Sequence, residues 1–279
     1  MPEQAHAKCR ASAVARPCSP AKLGSQGDGS DHWMPVATFG TLGLIAEVPA
    51  ALPVVPIVYL HGWGRTRSDF ASVASRRPGM SLDLPGFGSS LQPPEAMGSS
   101  GYATAVLDAV AAWTGPRRVL LVGHSFGGRV ALKAAAAAPD SVCGLIIAGT
   151  PLFRNQTSTR PPLLYRAVRG LNRLGLASDT RLQSARRRHG SADYLAAAGV
   201  MREIFVKVVN ESYENELAEI RCPTAFVWGR ADTAAPIEQA RRAQRIVNGS
   251  ILEERDCGHD VHLEHPELFV EAIDRFTHR

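Results

Sequence analysis

The sequence of 279 residues is long enough for one large domain, and its 45% hydrophobic content is ordinary for a globular protein. No stretch offers the roughly 18 uninterrupted apolar residues of a membrane-spanning helix, so we expect a soluble protein with no membrane span. The net charge of +5 is accompanied by only 6% aromatic residues, which argues against a protein that binds nucleic acid.

The first predicted segment, residues 1–32, is rich in Ala, Ser, Pro, Gly and charged residues and lacks the continuous apolar run of a secretory signal. We expect it to be a disordered N-terminal tail. The five cysteines are odd in number and form no CxxC pair, which predicts neither a disulfide framework nor a zinc site. A reducing cytoplasm fits this cysteine usage best.

From Trp33 onward, short apolar runs alternate with segments of helical length, a pattern typical of βαβ units. The predicted strands, in chain order, are VATFGTLGL, a partner near Leu44 to Val48, PIVYLHG, MSLDLPG, VLLVGHS, GLIIAGT, TAFVWGR and ILEERDCG. The predicted helices between them are RSDFASVAS, YATAVLDAVAAWT, GGRVALKAAAAAP, PIEQARRAQRIV and PELFVEAIDRF. Runs such as VLLV and LIIA are apolar without alternation, as in strands covered on both faces. The sequence therefore predicts an α/β fold with a mostly parallel central sheet and helices on both faces.

One segment interrupts this alternation, because no strand is evident between GLIIAGT and TAFVWGR. The stretches LLYRAVRGLNRLGLA and ADYLAAAGVMREIFVKVV have the spacing of helices instead. We expect a core made of residues 33–150 and 210–279, with a helical lid at 151–209 inserted after the sixth strand.

The clearest chemical signal is the G-x-S-x-G pattern at residues 123–127, which lies between an apolar strand and a helix. A sharp turn of this kind lifts the hydroxyl of Ser125 to the N-terminus of the helix, where developing negative charge is stabilised. The flanking glycines let neighbouring segments approach the turn. Ser125 is therefore the candidate nucleophile, and the alternative is an ordinary glycine-rich turn.

A serine needs a base to accept its proton and an acid to orient that base. Asp232 follows the strand TAFVWGR and His259 follows the next strand, so each would lie at a strand end where such groups meet. We predict that His259 is the base and Asp232 the orienting acid.

Other residues have competing interpretations. His262 remains an alternative base and His265 lies nearby, whereas His124 is expected to be packed and to point away from Ser125. Asp83, in the turn motif DLPGFG, is expected to accept backbone N–H groups. Two further residues are given structural interpretations: Asp260, which is poorly placed to reach its neighbouring imidazole, and Cys257, a small core residue.

Five motifs in this order resemble the α/β-hydrolase superfamily: HGWG at 61–64, DLPGFGSS at 83–90, GHSFGG at 123–128, WGRAD at 228–232 and GHDVHLEHPE at 258–267. HGWG, DLPGFG and the small helical lid are similar to carboxylesterases of the pimeloyl-acyl-carrier-protein methyl ester esterase type. Lipases, cofactor-free peroxidases and carbon–carbon bond hydrolases share these motifs.

The resemblance implies an oxyanion hole made by the backbone N–H groups of Trp63 and Phe126, with His61 organising the loop. It implies a serine hydrolase that cleaves carboxylic esters, or thioesters, through an acyl-enzyme on Ser125, without metal or organic cofactor. The alternatives are a peroxidase or carbon–carbon bond hydrolase with the same triad, and a ligand-binding protein without turnover.

The predicted lid is strongly basic, since residues 151–190 contain nine arginines and one acidic residue. Arg166, Arg169 and Arg173 follow at helical spacing and would form one cationic face. We expect Arg166 and Arg169 to bind an anionic substrate, such as an ester carried on phosphopantetheine, coenzyme A or an acidic carrier protein. The alternative is a solvated helix face with no partner.

Overall fold

The computed structural model describes residues 35–154 and 192–277. The predicted N-terminal tail and the predicted substrate-binding residues Arg166 and Arg169 lie outside the described residues, as does much of the predicted lid.

An eight-stranded sheet forms the centre of the described fold, in the spatial order β1-β2-β4-β3-β5-β6-β7-β8. The strands are β1 (Val36–Phe39), β2 (Leu44–Glu47), β3 (Ile57–Leu60), β4 (Met80–Leu82), β5 (Val119–His124), β6 (Val142–Ala148), β7 (Thr224–Gly229) and β8 (Ile251–Arg255). β1 and β2 pair antiparallel, β2 pairs antiparallel with β4, and all pairings from β4 to β8 are parallel. The predicted fold class and all eight predicted strands are confirmed.

Helices join these strands. They are α1 (Ala71–Ala74), α2 (Ser99–Thr114), α3 (Phe126–Ala137), α4 (Ala192–Ala196), α5 (Gly199–Val208), α6 (Glu214–Glu219), α7 (Ile237–Ile246), α8 (Val261–Glu264) and α9 (Pro266–Thr277). A 3₁₀ turn at Arg67–Phe70 precedes α1, so RSDFASVAS forms two short turns instead of one helix. Among the described residues, no helix is both long and apolar enough to cross a membrane.

Both faces of the sheet are buried, because successive residues of the central strands contribute to different cores. Leu121 packs with α2, α3 and α7 in one hydrophobic cluster. Leu120 and Val122 pack with Phe70 and Phe269 in the other. This is why the run VLLV contains no polar residue.

In the insertion after β6, the stretch from residue 192 to residue 208 contains the helices α4 and α5, as its sequence predicts, whereas the described residues 151–154 are not helical. Its periodic stretch is divided at Ala198, which is extended, and Gly199, which has φ +52°. α5 then packs Met201, Ile204 and Val208 into the same core as α2 and α3.

Candidate active site

Ser125 occupies a strained turn between β5 and α3. Its φ of 50° and ψ of −110° make it the one non-glycine residue with positive φ in the described ranges. Its N–H donates to the carbonyl of Ala148 at 2.8 Å, and the residue is partly exposed. Because strain of this kind is retained where the surrounding structure enforces it, the turn fits the role of a nucleophile elbow.

Glycines make this turn possible. A Cβ at Gly127 would overlap the carbonyl oxygen of Leu60, and a Cβ at Gly123 would lie 2.5 Å from the oxygen of Gly127. A Cβ at Gly128 would overlap the hydroxyl of Thr150. The turn therefore packs directly on the ends of β3 and β6.

Asp232 and His259 form a hydrogen-bonded pair. Oδ2 of Asp232 lies 2.8 Å from Nδ1 of His259. The other carboxylate oxygen accepts the N–H groups of Ala234 and Ala235 at 2.9 and 2.8 Å. The Asp232 side chain is fully buried, whereas 29% of the His259 side chain is exposed. The ring is thus oriented by the acid and leaves Nε2 as its remaining nitrogen.

The loops that carry this pair meet Ser125 at the carboxyl edge of the parallel strands. The N–H of Ala231 donates to the carbonyl of Cys257 at 3.1 Å, which joins the two loops. A Cβ at Gly149 would lie 3.2 Å from Cε1 of His259, so the His259 ring borders Gly149. Gly149 directly follows Ala148, whose carbonyl oxygen accepts the Ser125 N–H. No hydrogen bond joins the Ser125 hydroxyl to another described residue, and catalytic hydrogen bonds of this kind often form only with substrate bound.

Trp63 and Phe126 come from the two segments expected to bind an oxyanion. Their rings pack edge to face with centroids 5.2 Å apart. Neither backbone N–H is hydrogen bonded within the described structure; that of Phe126 is one of the unpaired donors at the start of a helix. His61 is buried, with Nδ1 2.7 Å from the Gly62 carbonyl and Nε2 accepting the N–H of Leu84 at 2.9 Å. Both nitrogens are therefore used to hold loops.

Aromatic side chains surround Trp63. Its ring centroid lies 4.9 Å from Phe87 and 5.0 Å from Phe205, in addition to Phe126. We call Trp63, Phe87, Phe126 and Phe205 the aromatic cluster. Phe205 belongs to α5, so the insertion contributes to the surroundings of the site.

The alternative bases are placed elsewhere. His262 is fully buried and its Nε2 lies 2.9 Å from Oδ1 of Asp69. His265 faces solvent beside Glu267. Asp260 forms an ion pair with Arg65 at 2.6 Å, and Cys257 is buried in the core.

Asp83 accepts the backbone N–H groups of Arg67 and Ser89, as the turn motif predicts. Its side chain is fully buried.

Asp69, which lies in the 3₁₀ turn after HGWG, is not predicted by any motif of the sequence. Its carboxylate meets His124 and His262, and these three residues, all buried, form the Asp69 cluster. Burial alone raises the pKa of Asp69, but the two neighbouring histidines and the hydrogen bond from the Gly62 N–H hold that pKa well below its usual range. Burial lowers the pKa of His124 to about 4, against the opposing effect of Asp69. No spacing in the sequence connects these residues, because they come from three distant segments.

A model of the Alpha/beta hydrolase family matches residues 57–272. The chain belongs to this family. The hydrolase is 26% identical to a pimeloyl-acyl-carrier-protein methyl ester esterase of Aeromonas hydrophila subsp. hydrophila over 258 residues, covering 79% of this chain and 94% of the relative. It is also 26% identical to a 2-hydroxy-6-oxononadienedioate/2-hydroxy-6-oxononatrienedioate hydrolase of Klebsiella pneumoniae over 250 residues, covering 80% and 87%.

Solved structures share the fold of this hydrolase. An esterase from Exiguobacterium antarcticum superposes with a TM-score of 0.64 at 22% identity, covering 87% of this chain and all of that one. A bacterial membrane phospholipase A gives a TM-score of 0.65 at 22% identity, covering 88% and 86%. The predicted resemblance is confirmed, and the predicted enzyme class, a hydrolase acting on ester bonds, agrees with the relatives.

Proposed function

We propose that this hydrolase cleaves carboxylic esters through an acyl-enzyme on Ser125. The observation that carries the proposal is the Asp232–His259 pair at 2.8 Å, which borders the strained Ser125 turn at the carboxyl edge of the sheet. An oriented imidazole near a partly exposed serine is the arrangement that nucleophilic acyl transfer requires.

In this mechanism, the Ser125 hydroxyl attacks the ester carbonyl while Nε2 of His259 takes the hydroxyl proton. The N–H groups of Trp63 and Phe126 donate to the oxyanion, and such donors are typically worth about 3 to 4 kcal/mol each. The tetrahedral intermediate expels the alcohol, which receives the proton from His259. Water, deprotonated by His259, then attacks the acyl-enzyme and releases the acid and Ser125.

The aromatic cluster favours a substrate that has an apolar group near the reacting carbonyl. Trp63 and Phe126 belong to this cluster through their rings and to the oxyanion hole through their N–H groups, so an ester bound there lies against aromatic faces. Apolar pockets with a few polar groups at one point are typical of small-molecule sites.

We further propose that the ester is anionic, for example because it is linked to a carrier. It is supported by the esterase relative from Aeromonas, whose name specifies an acyl-carrier-protein ester, and by the arginines of residues 151–190. Arg166 and Arg169 would attract the anionic carrier.

A fluorophosphonate probe and p-nitrophenyl esters of graded chain length test the proposal. We expect Ser125-dependent labelling and hydrolysis in the wild type, and neither in Ser125→Ala. Absence of labelling in folded wild-type protein would contradict it and favour a ligand-binding role.

The Klebsiella relative supports carbon–carbon bond hydrolysis as a second candidate at the same level of identity. Cleavage of the dienedioate named for that relative, with no turnover of any ester in the panel, would favour this candidate.

A further inference from the structure

We propose that Asp69, His262 and His124 form a chain of positioning residues that fixes the loop of the oxyanion hole relative to the loop of His259. The proposal rests on the proposed function for the roles of Trp63 and His259.

The chain begins at the oxyanion loop. Oδ2 of Asp69 accepts the N–H of Gly62 at 3.1 Å, directly before Trp63. A buried carboxylate that accepts this N–H fixes the backbone one residue from the predicted oxyanion donor. The 3₁₀ turn that carries Asp69 is packed in the core through Phe70, so the anchor itself is rigid.

The chain continues through two stacked imidazoles. Nε2 of His262 lies 2.9 Å from Oδ1 of Asp69, and since a carboxylate only accepts, His262 donates from Nε2. The ring of His262 lies on that of His124, with centroids 4.1 Å apart and a tilt of 34°. The ring of His124 is thereby held on one face.

The chain ends on the backbone of the predicted base. Nε2 of His124 lies 3.0 Å from the carbonyl oxygen of His259, so the His124 ring carries its hydrogen on Nε2 and donates it there. Nδ1 of His124 lies 3.7 Å from Asp69, too far for a hydrogen bond, and has no partner within the described structure. The hydrogen bond to the His259 carbonyl is therefore the fixed polar contact of this ring.

Asp69, His124 and His262 are residue types that can bind a metal ion, and their ligand atoms lie close together. The groups that already contact Asp69 favour a positioning role over metal binding. Arg65 donates to Oδ1 of Asp69 at 2.9 Å, and the Gly62 N–H occupies Oδ2. A divalent cation there would face a fixed guanidinium and would compete with two donors for the carboxylate.

A matched pair of variants tests the end of the chain. His124→Gln retains an N–H donor near the position of Nε2, whereas His124→Phe retains the ring and loses the donor. With kcat expressed per active site titrated by the fluorophosphonate, we expect at least a tenfold loss in His124→Phe and less than a threefold loss in His124→Gln. KM should stay within threefold in both, because the aromatic cluster is untouched.

Asp69→Asn tests the beginning of the chain, since an amide presents one acceptor oxygen in place of two. We expect at least a tenfold loss of kcat with KM within threefold. The control is Glu211→Gln, which changes a partly buried carboxylate away from the site that accepts the Ser99 N–H at 3.1 Å and the Tyr213 hydroxyl at 2.6 Å. It should lose stability but keep kcat within threefold.

Equal effects of His124→Phe and His124→Gln, or an Asp69→Asn kcat within threefold of wild type, would overturn the proposal. Hydrogen exchange gives a readout independent of activity. Residues 257–262 should exchange faster in His124→Phe, and residues 61–66 as well in Asp69→Asn, with β5 unchanged. If the wild type hydrolyses no ester, the proposed function fails and the exchange rates alone decide whether the chain positions the loops. Unchanged exchange in both loops would refute it.

Discussion

His259 and Asp232 are joined at 2.8 Å through Nδ1 of the ring, and the acid's other oxygen is held by two backbone N–H groups. This geometry fixes both the tautomer and the direction of Nε2. A carboxylate is required here, because the side-chain amide of an asparagine has only one oxygen and its NH₂ group cannot accept a hydrogen bond.

Asp232→Asn should therefore lower kcat by about 10³- to 10⁴-fold with little change in KM, since the wrong tautomer of the base would be favoured. Steady-state hydrolysis of a p-nitrophenyl ester measures this. Asp256→Asn is the control on the neighbouring loop, where the side chain is 85% exposed and paired with Arg230, and it should retain wild-type kcat. A loss below tenfold in Asp232→Asn would show that the acid is not needed to orient His259.

At Ser125, the backbone conformation predicts that removing the Cβ stabilises the fold, whereas removing side-chain atoms elsewhere usually destabilises it. At φ 50° and ψ −110°, a Cβ is strained and glycine is not. Ser125→Gly should exceed Ser125→Ala in free energy of unfolding by about 1 kcal/mol, although both are inactive. Urea denaturation compares the two, and an alanine variant of equal or greater stability would contradict the strain.

The lowered pKa of His124 predicts that acid destabilises the fold. The folded pKa of about 4 lies below the usual 6.5, so unfolding takes up a proton as the pH falls through this window. Stability is fully present above pH 6.5 and is lost toward pH 4, by about 3 kcal/mol.

His124→Gln, which does not titrate, should show a flatter dependence of unfolding free energy between pH 6.5 and 4.5. The groups that face His124 are Asp69, Asp260, His259 and His262. Because Asp69 has a lowered pKa, its own contribution to stability is lost only below the pKa of an ordinary aspartate, at a pH lower than this window. Identical slopes for the variant and wild type would exclude His124 as the titrating group.

The predicted anionic carrier is tested by charge reversal at Arg166 and Arg169. Arg166→Glu with Arg169→Glu should raise KM for an acyl-carrier-protein or coenzyme A ester by about tenfold, because attraction becomes repulsion. Neutral p-nitrophenyl esters serve as the comparison and should keep their KM. Equal changes for anionic and neutral esters would refute a role in carrier binding.

The pattern of residues along the chain is enough to predict the order of strands and helices and the three residues of the proposed triad. Buried parallel strands need apolar residues on both faces, so runs such as VLLV are visible without a structure. Ser125, Asp232 and His259 each follow one of these runs, and short loops at strand ends leave few positions for them. The proposed oxyanion donors are found in the same way, from turns beside β3 and β5.

The surroundings of these residues become visible only in the folded protein. Asp69 lies in an unremarkable polar segment, and its neighbours Gly62, His124 and His262 come from a loop, a strand end and a short helix with no common spacing. Phe205 likewise reaches Trp63 from the insertion. Packing of distant segments in three dimensions sets such contacts, whereas sequence periodicity reports only which face of one element is buried.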